Sequence, residues 1–129
     1  MCRLTPVKTN FGTEVDVADI KRAYVENIIR YASGCSKIDA IYLFGSSIEE
    51  RCNEQSDIDI AIVSNVPRSR LFRTQSYSTF VHNIYKSDME QSYDFLQFNS
   101  HEALKNSNAP ICHEINNKGK MIYRRKQDV

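Results

Sequence analysis

Apolar positions along the chain change their period several times. Between Asp16 and Gly34, residues Val17, Ile20, Ala23, Tyr24, Ile28 and Tyr31 recur three or four apart, which predicts an amphipathic helix closed by Gly34. Upstream, residues 1–14 are polar and broken by Pro6 and Gly12, and read as a tail or an extended edge. IDAIYLF (Ile38–Phe44) is a short, mostly apolar run that ends at Gly45, a strand. SIEERC (47–52) reads as a short helix, and Asp57–Val63 as a second strand ended by Asn65-Val66-Pro67. Within 68–86 the apolar residues predict a helix over the latter half. Tyr93–Phe98 reads as a third strand and Glu102–Lys105 as a helical turn. Pro110 opens a helix that Gly119 stops, MIYRR is a last short strand and KQDV a tail.

This α-β-α-β-α-β-α-β order predicts an α/β (α+β) layer structure, a small mixed sheet flanked by helices. With 129 residues, no repeat and no linker-like stretch, residues 1–129 are expected to form one domain.

Composition narrows the partners. A formal net charge of +1 supplies no global basic field, so nucleic acid is not expected as the primary partner. Cys2, Cys35, Cys52 and Cys112 show no C-x-x-C or zinc-module spacing and read as free thiols of a reducing compartment. MCRLTPVKTNFG lacks the apolar core of a signal peptide, and no run suits a membrane span; the expectation is a soluble, cytoplasmic protein without a membrane partner.

The chemistry concentrates in LFGSSIEERCNEQSDIDIAIV (43–63). In a strand, Asp57 and Asp59 share a face with Ala61 and Val63, opposite Ile58, Ile60 and Ile62. Two neighbouring carboxylates repel unless a cation lies between them, and oxygen ligands on a strand suit Mg²⁺ or Mn²⁺. A bare D-x-D is a common pattern and on its own reads first as an exposed strand start with one Asp capping the preceding turn. Gly45-Ser46-Ser47 at a strand end permits close backbone approach and favours phosphate oxygens, but also fits a plain turn with a serine cap. Together, the two elements place phosphate donors beside a metal site, a combination suited to a nucleoside triphosphate.

Gly45-Ser46, ten residues, then Asp57-Ile58-Asp59 resembles the G-S-x10-D-x-D signature of minimal nucleotidyltransferases of the DNA polymerase β-like superfamily. The flanking IYLF and SDIDIAIV agree, SYDFLQF supplies Asp94 as a third carboxylate, and EINNKGKMIYRR is similar to the family's closing helix, turn and strand. The resemblance implies a polymerase β palm-like fold and two Mg²⁺ ions (Mn²⁺ would serve), held by Asp57, Asp59 and Asp94. It implies ATP as substrate, its phosphates held at Gly45, Ser46 and Ser47. The reaction is then transfer of a nucleoside monophosphate, AMP for ATP, to a hydroxyl with release of pyrophosphate; Asp94 is placed to take the acceptor's proton. The chain departs from the family's G-S-R-A-R-G: Ser47 replaces the first Arg, and Arg51 is the basic residue left to meet the triphosphate.

Stand-alone minimal members resemble the antitoxin half of a two-gene system whose helical HEPN toxin is the AMP acceptor, so a protein adenylyltransferase is the leading expectation. A small-molecule, aminoglycoside-type enzyme completed by a homo-oligomer or partner chain is one alternative. A non-catalytic binding subunit of the same fold is another. Arg68, Arg70 and Arg73 read as a solvated stretch, His82 and His113 as surface or satisfied core residues, and Tyr77, Tyr85 and Tyr93 as packing residues.

Overall fold

The computed structural model describes residues 2–126. Leu4–Lys8 (β1) and Glu14–Ala18 (β2) pair antiparallel as a hairpin. Of the two readings of residues 1–14, a tail or an extended edge, the extended one holds, and the helix expected from Asp16 starts later, at Arg22. Glu-Val-Asp-Val alternates with period two and is rich in β-branched residues, so Val15 and Val17 turn inward with Val7 while Glu14 and Asp16 face water. Pro6 is tolerated because the hairpin is two-stranded and its strands are edges. Of KQDV, residues 127–129 lie outside the described residues.

Arg22–Ala32 (α1) follows a 3-10 turn at Asp19–Lys21, and its C-terminal carbonyl at Arg30 accepts from the Ser33 hydroxyl at 2.7 Å. Ile38–Phe44 (β3) matches the expected strand. SIEERC does not form a helix. A 3-10 turn covers Gly45–Ile48, and Glu49 is already extended at φ −131° and ψ 152°. Tertiary contact explains the difference: the Glu50 carbonyl accepts from the Cys2 amide at 2.9 Å, so the N-terminal segment satisfies backbone that a helix would have used.

Ile58–Ser64 (β4) and Tyr93–Phe98 (β5) are strands. The intervening segment breaks at Phe72–Thr74 into Arg68–Leu71 (α2) and Gln75–Ser87 (α3). His101–Lys105 (α4), Pro110–Lys118 (α5) and Lys120–Arg124 (β6) complete the chain. The main sheet is four-stranded in the order β5-β4-β3-β6, mixed because β4 runs parallel to β5 and antiparallel to β3.

Period-two alternation divides the core between the two faces of this sheet. Ile58, Ile60 and Ile62 pack with Ile41 and Leu43 against Val25 and Ile28 of α1, Phe80 and Ile84 of α3, and the hairpin valines. Ala61 and Val63 face the other way, with Ala40, Tyr42 and Phe44, against Leu104 of α4 and Cys112 and Ile115 of α5. The four cysteines are buried free thiols, as their spacing suggested.

Ile60 is fully buried in a central strand. Ile60→Ala is expected to cost about 2–5 kcal/mol, read as a lower urea midpoint at unchanged slope; a midpoint shift below a quarter of the wild-type value's equivalent would argue against this core.

Candidate active site

The D-x-D pattern sits at the start of β4, where the two faces of the sheet diverge. Asp59 pairs with Phe44 of β3 on one side and with Asp94 of β5 on the other. Residues paired across a ladder share a face. The Asp59 and Asp94 side chains therefore lie together on the α5 side, beyond the end of the apolar layer formed by Ala61, Val63 and Leu96. Asp59 is half-buried; Asp94 and Asp57 are exposed.

Gly45 follows directly from Phe44, and its φ of +72° is a conformation that side-chain-bearing residues rarely adopt. The glycine is required for space as well: a Cβ there would run into the carboxylate of Asp59. The turn is thus pressed against the central-strand acid. Gly45, Ser46 and Arg51 join Asp59 and Asp94 around an open cleft of about 550 Å³, closed on its far side by Ile111 and Glu114 of α5.

The expected residues do not all converge. Ser47 turns inward: it is buried, and its Oγ is without a hydrogen-bond partner. Asp57 stands at the rim, just ahead of β4, rather than in the cleft wall. Arg51 lines the cleft but is engaged with Glu49 at 3.0 Å, an exposed pair. Arg68 and Arg70 lie on α2, with Arg73 just after it, beyond the opposite end of β4, and all three are exposed. His82 and His113 are exposed; Tyr77 is buried, and Tyr85 packs edge-on to Tyr93 with ring centres 5.2 Å apart.

One acid was not anticipated. Glu114 faces Asp59 from α5. A sequence signal exists: burial of Cys112 and Ile115 fixes the sheet-facing stripe of α5, which leaves Ile111 and Glu114, three apart, together on the adjoining face.

Electrostatically the cleft has an excess of negative charge. Asp59 has its pKa pushed up to about 6, first by burial, then by the charges of Asp94, Asp57 and Glu114, with Arg51 opposing. Tyr85 is also raised, by burial and then by Asp57 and Asp94. Such a set of hard oxygen donors fits a divalent cation in character. Among the described residues, however, no three acidic, histidine or cysteine side chains are close enough to enclose one ion, so the donors form an open set rather than a finished cage.

A small mixed sheet that gathers acids from adjacent strands beside a glycine turn has the layout of a palm-like nucleotidyltransferase domain. Residues 26–128 match the family model Polymerase beta, Nucleotidyltransferase, and the chain belongs to that family. Solved structures with the same fold include a mutant of the toxin-antitoxin MntA-HpeT, with TM-score 0.52 and 19% identity over 81% of this chain and 76% of that chain. Another is a toxin-antitoxin with AMP-PNP, with TM-score 0.53 and 20% identity over the same shares. At these identities the likeness is one of fold. No curated protein matches the chain.

Two predictions follow from the Gly45–Asp59 contact. Gly45→Ala is expected to destabilise the fold by about 1–2 kcal/mol from backbone strain alone, and to displace the Asp59 carboxylate; denaturant titration measures the first. The second concerns pH. The folded state raises Asp59 above its ordinary value of 3.8 to about 6, so the stability it contributes is full below 3.8 and lost as pH rises through about 6. Asp59→Asn should therefore raise the melting temperature at pH 7.5, with the gain vanishing by pH 4. An equal gain at both pH values would show that charge is not the cause.

Proposed function

We propose that this protein is a metal-dependent nucleotidyltransferase that moves AMP from ATP to a hydroxyl of a protein partner, with release of pyrophosphate. The observation that carries the reading is the Gly45 turn held against Asp59, whose ladder partner is Asp94. A phosphate-accepting turn and a cation-accepting pair of acids are thereby adjacent in one cleft.

Asp57, Asp59 and Asp94 would hold Mg²⁺, two ions in this family's manner, with Mn²⁺ able to replace them. Bound there, the ions supply charge stabilisation for the reacting phosphate and a more acidic acceptor hydroxyl. The chain's own groups do the rest. Gly45, Ser46 and the backbone at Ser47 face the β- and γ-phosphates, and Arg51, released from Glu49, meets their charge. Asp94 is exposed at the cleft mouth, where an incoming hydroxyl can pass it a proton. Glu114 opposes a nucleotide that arrives without its cation, which couples nucleotide binding to metal binding.

The acceptor is proposed to be a helical toxin of the HEPN type, which would make this chain the antitoxin of a cytoplasmic pair. Support comes from the fold shared with toxin-antitoxin proteins, one of them with AMP-PNP.

The test is incubation with α-labelled ATP, Mg²⁺ and a co-expressed helical partner. Label on the partner, lost in Asp59→Asn and Asp94→Asn by at least a hundredfold, is the expected result; label on aminoglycosides instead would redirect the acceptor. Retention of no nucleotide at all would leave a non-catalytic binding subunit. Because Asp59 must be ionised, the transfer rate at limiting Mg²⁺ should fall as pH drops through about 6. A rate flat from pH 7.5 to 5 would count against Asp59 as a ligand.

A further inference from the structure

Lys21, at the junction of the 3-10 turn and α1, is a charged side chain with only 1% of its surface exposed. Burial of an ammonium is costly unless its donors are satisfied. Its partners are neutral: the side-chain oxygen of Gln91 at 2.6 Å and the Glu54 carbonyl at 3.3 Å. Among the described residues it makes no close ion pair, although its charge adds to the Tyr24 hydrogen bond in holding the Asp88 carboxyl below its usual range.

Gln91 continues the network. It too is buried, 6% exposed, and the ammonium fixes its amide with the oxygen inward. Both amide hydrogens are then directed to carbonyls, of Ser56 at 3.1 Å and Ser92 at 2.8 Å. The Ser92 carbonyl also accepts from the Ile58 amide at 3.0 Å. The loop before β4 is thus held at Glu54, Ser56 and Ile58, and the loop before β5 at Gln91 and Ser92. Asp57 lies between two of the held residues, and Asp94 is two positions beyond the last.

We propose that Lys21 and Gln91 form a buried clamp that sets the spacing of Asp57 and Asp94 about Asp59, acting as positioning residues that touch no substrate. The inference rests on the proposed function for its catalytic consequence, but the clamp itself is a statement about the two loops. It also gives the N-terminal segment a second tie to the site, beside the bond from the Cys2 amide to the Glu50 carbonyl. An open donor set needs such support: its members are not held by one another, so their spacing depends on the backbone that carries them.

The test compares wild type with Lys21→Met, Lys21→Arg and Gln91→Met. Amide hydrogen exchange without nucleotide is measured over residues 53–58 and 91–95, with 38–44 of β3 as internal control. Lys21→Met and Gln91→Met should each speed exchange in both loops at least tenfold and leave the control unchanged. In the transfer assay kcat should fall about 10- to 100-fold, with KM for ATP changed less than threefold. Lys21→Arg, which keeps the donors, should recover part of both. Should Lys21→Met fail to fold, Gln91→Met alone decides.

Loops that exchange at wild-type rates in the folded variants would overturn the clamp. Loosened loops with unchanged kcat would overturn the positioning role. If wild type itself transfers nothing, the proposed reaction fails, and exchange alone still decides whether the clamp exists.

Discussion

A half-buried carboxylate on the central strand of the sheet governs how the cleft is built. Asp59 cannot be moved outward, because β4 is hydrogen-bonded on both sides and its alternate residues fill the core between the sheet and α1 and α3. It cannot be fully neutralised either, because the charges around it are mostly acids. The folded chain therefore carries an electrostatic cost at this point whenever Asp59 is ionised. Proteins keep such strain where function needs it.

The neighbouring structure follows from that position. Asp94 faces Asp59 because β4 and β5 are in parallel register. Gly45 is in contact because β3 ends opposite Asp59, and a Cβ there would have to push the carboxylate aside. Glu114 and Ile111 close the far side because Cys112 and Ile115 lock one face of α5 onto the sheet. The Lys21–Gln91 network ties the loop before β4 to the loop before β5, the two segments that lead into the acids.

The strands and the principal helices could be read from periodicity, since alternation in SDIDIAIV and in IDAIYLF is imposed by burial on two faces of one sheet. Asp57, Asp59, Gly45 and Asp94 were singled out as candidates only when taken together and by the resemblance to minimal nucleotidyltransferases, because each alone also fits an ordinary strand start, turn or surface acid. Three features were not. Asp16 and Val17 fit the start of a helical pattern because Val17 stands three before Ile20, although Val15 and Val17 also fit a period of two, and only pairing with β1 decides for a strand. SIEERC has helical propensity, but its backbone is taken by the N-terminal segment through Glu50. Glu114 is one polar residue on an amphipathic helix, and nothing local says that its face meets a strand 55 positions earlier.

By itself, then, the amino-acid order marked most of the buried strand positions and the candidate acids, because side-chain period and the cost of a buried charge are local properties. Tertiary structure alone decided the neighbours. It set Asp94 opposite Asp59, pressed Gly45 on its carboxylate and joined Lys21 to the loops that precede β4 and β5. These contacts join segments far apart in the chain, and distance along the sequence carries no information about them until the sheet register is formed.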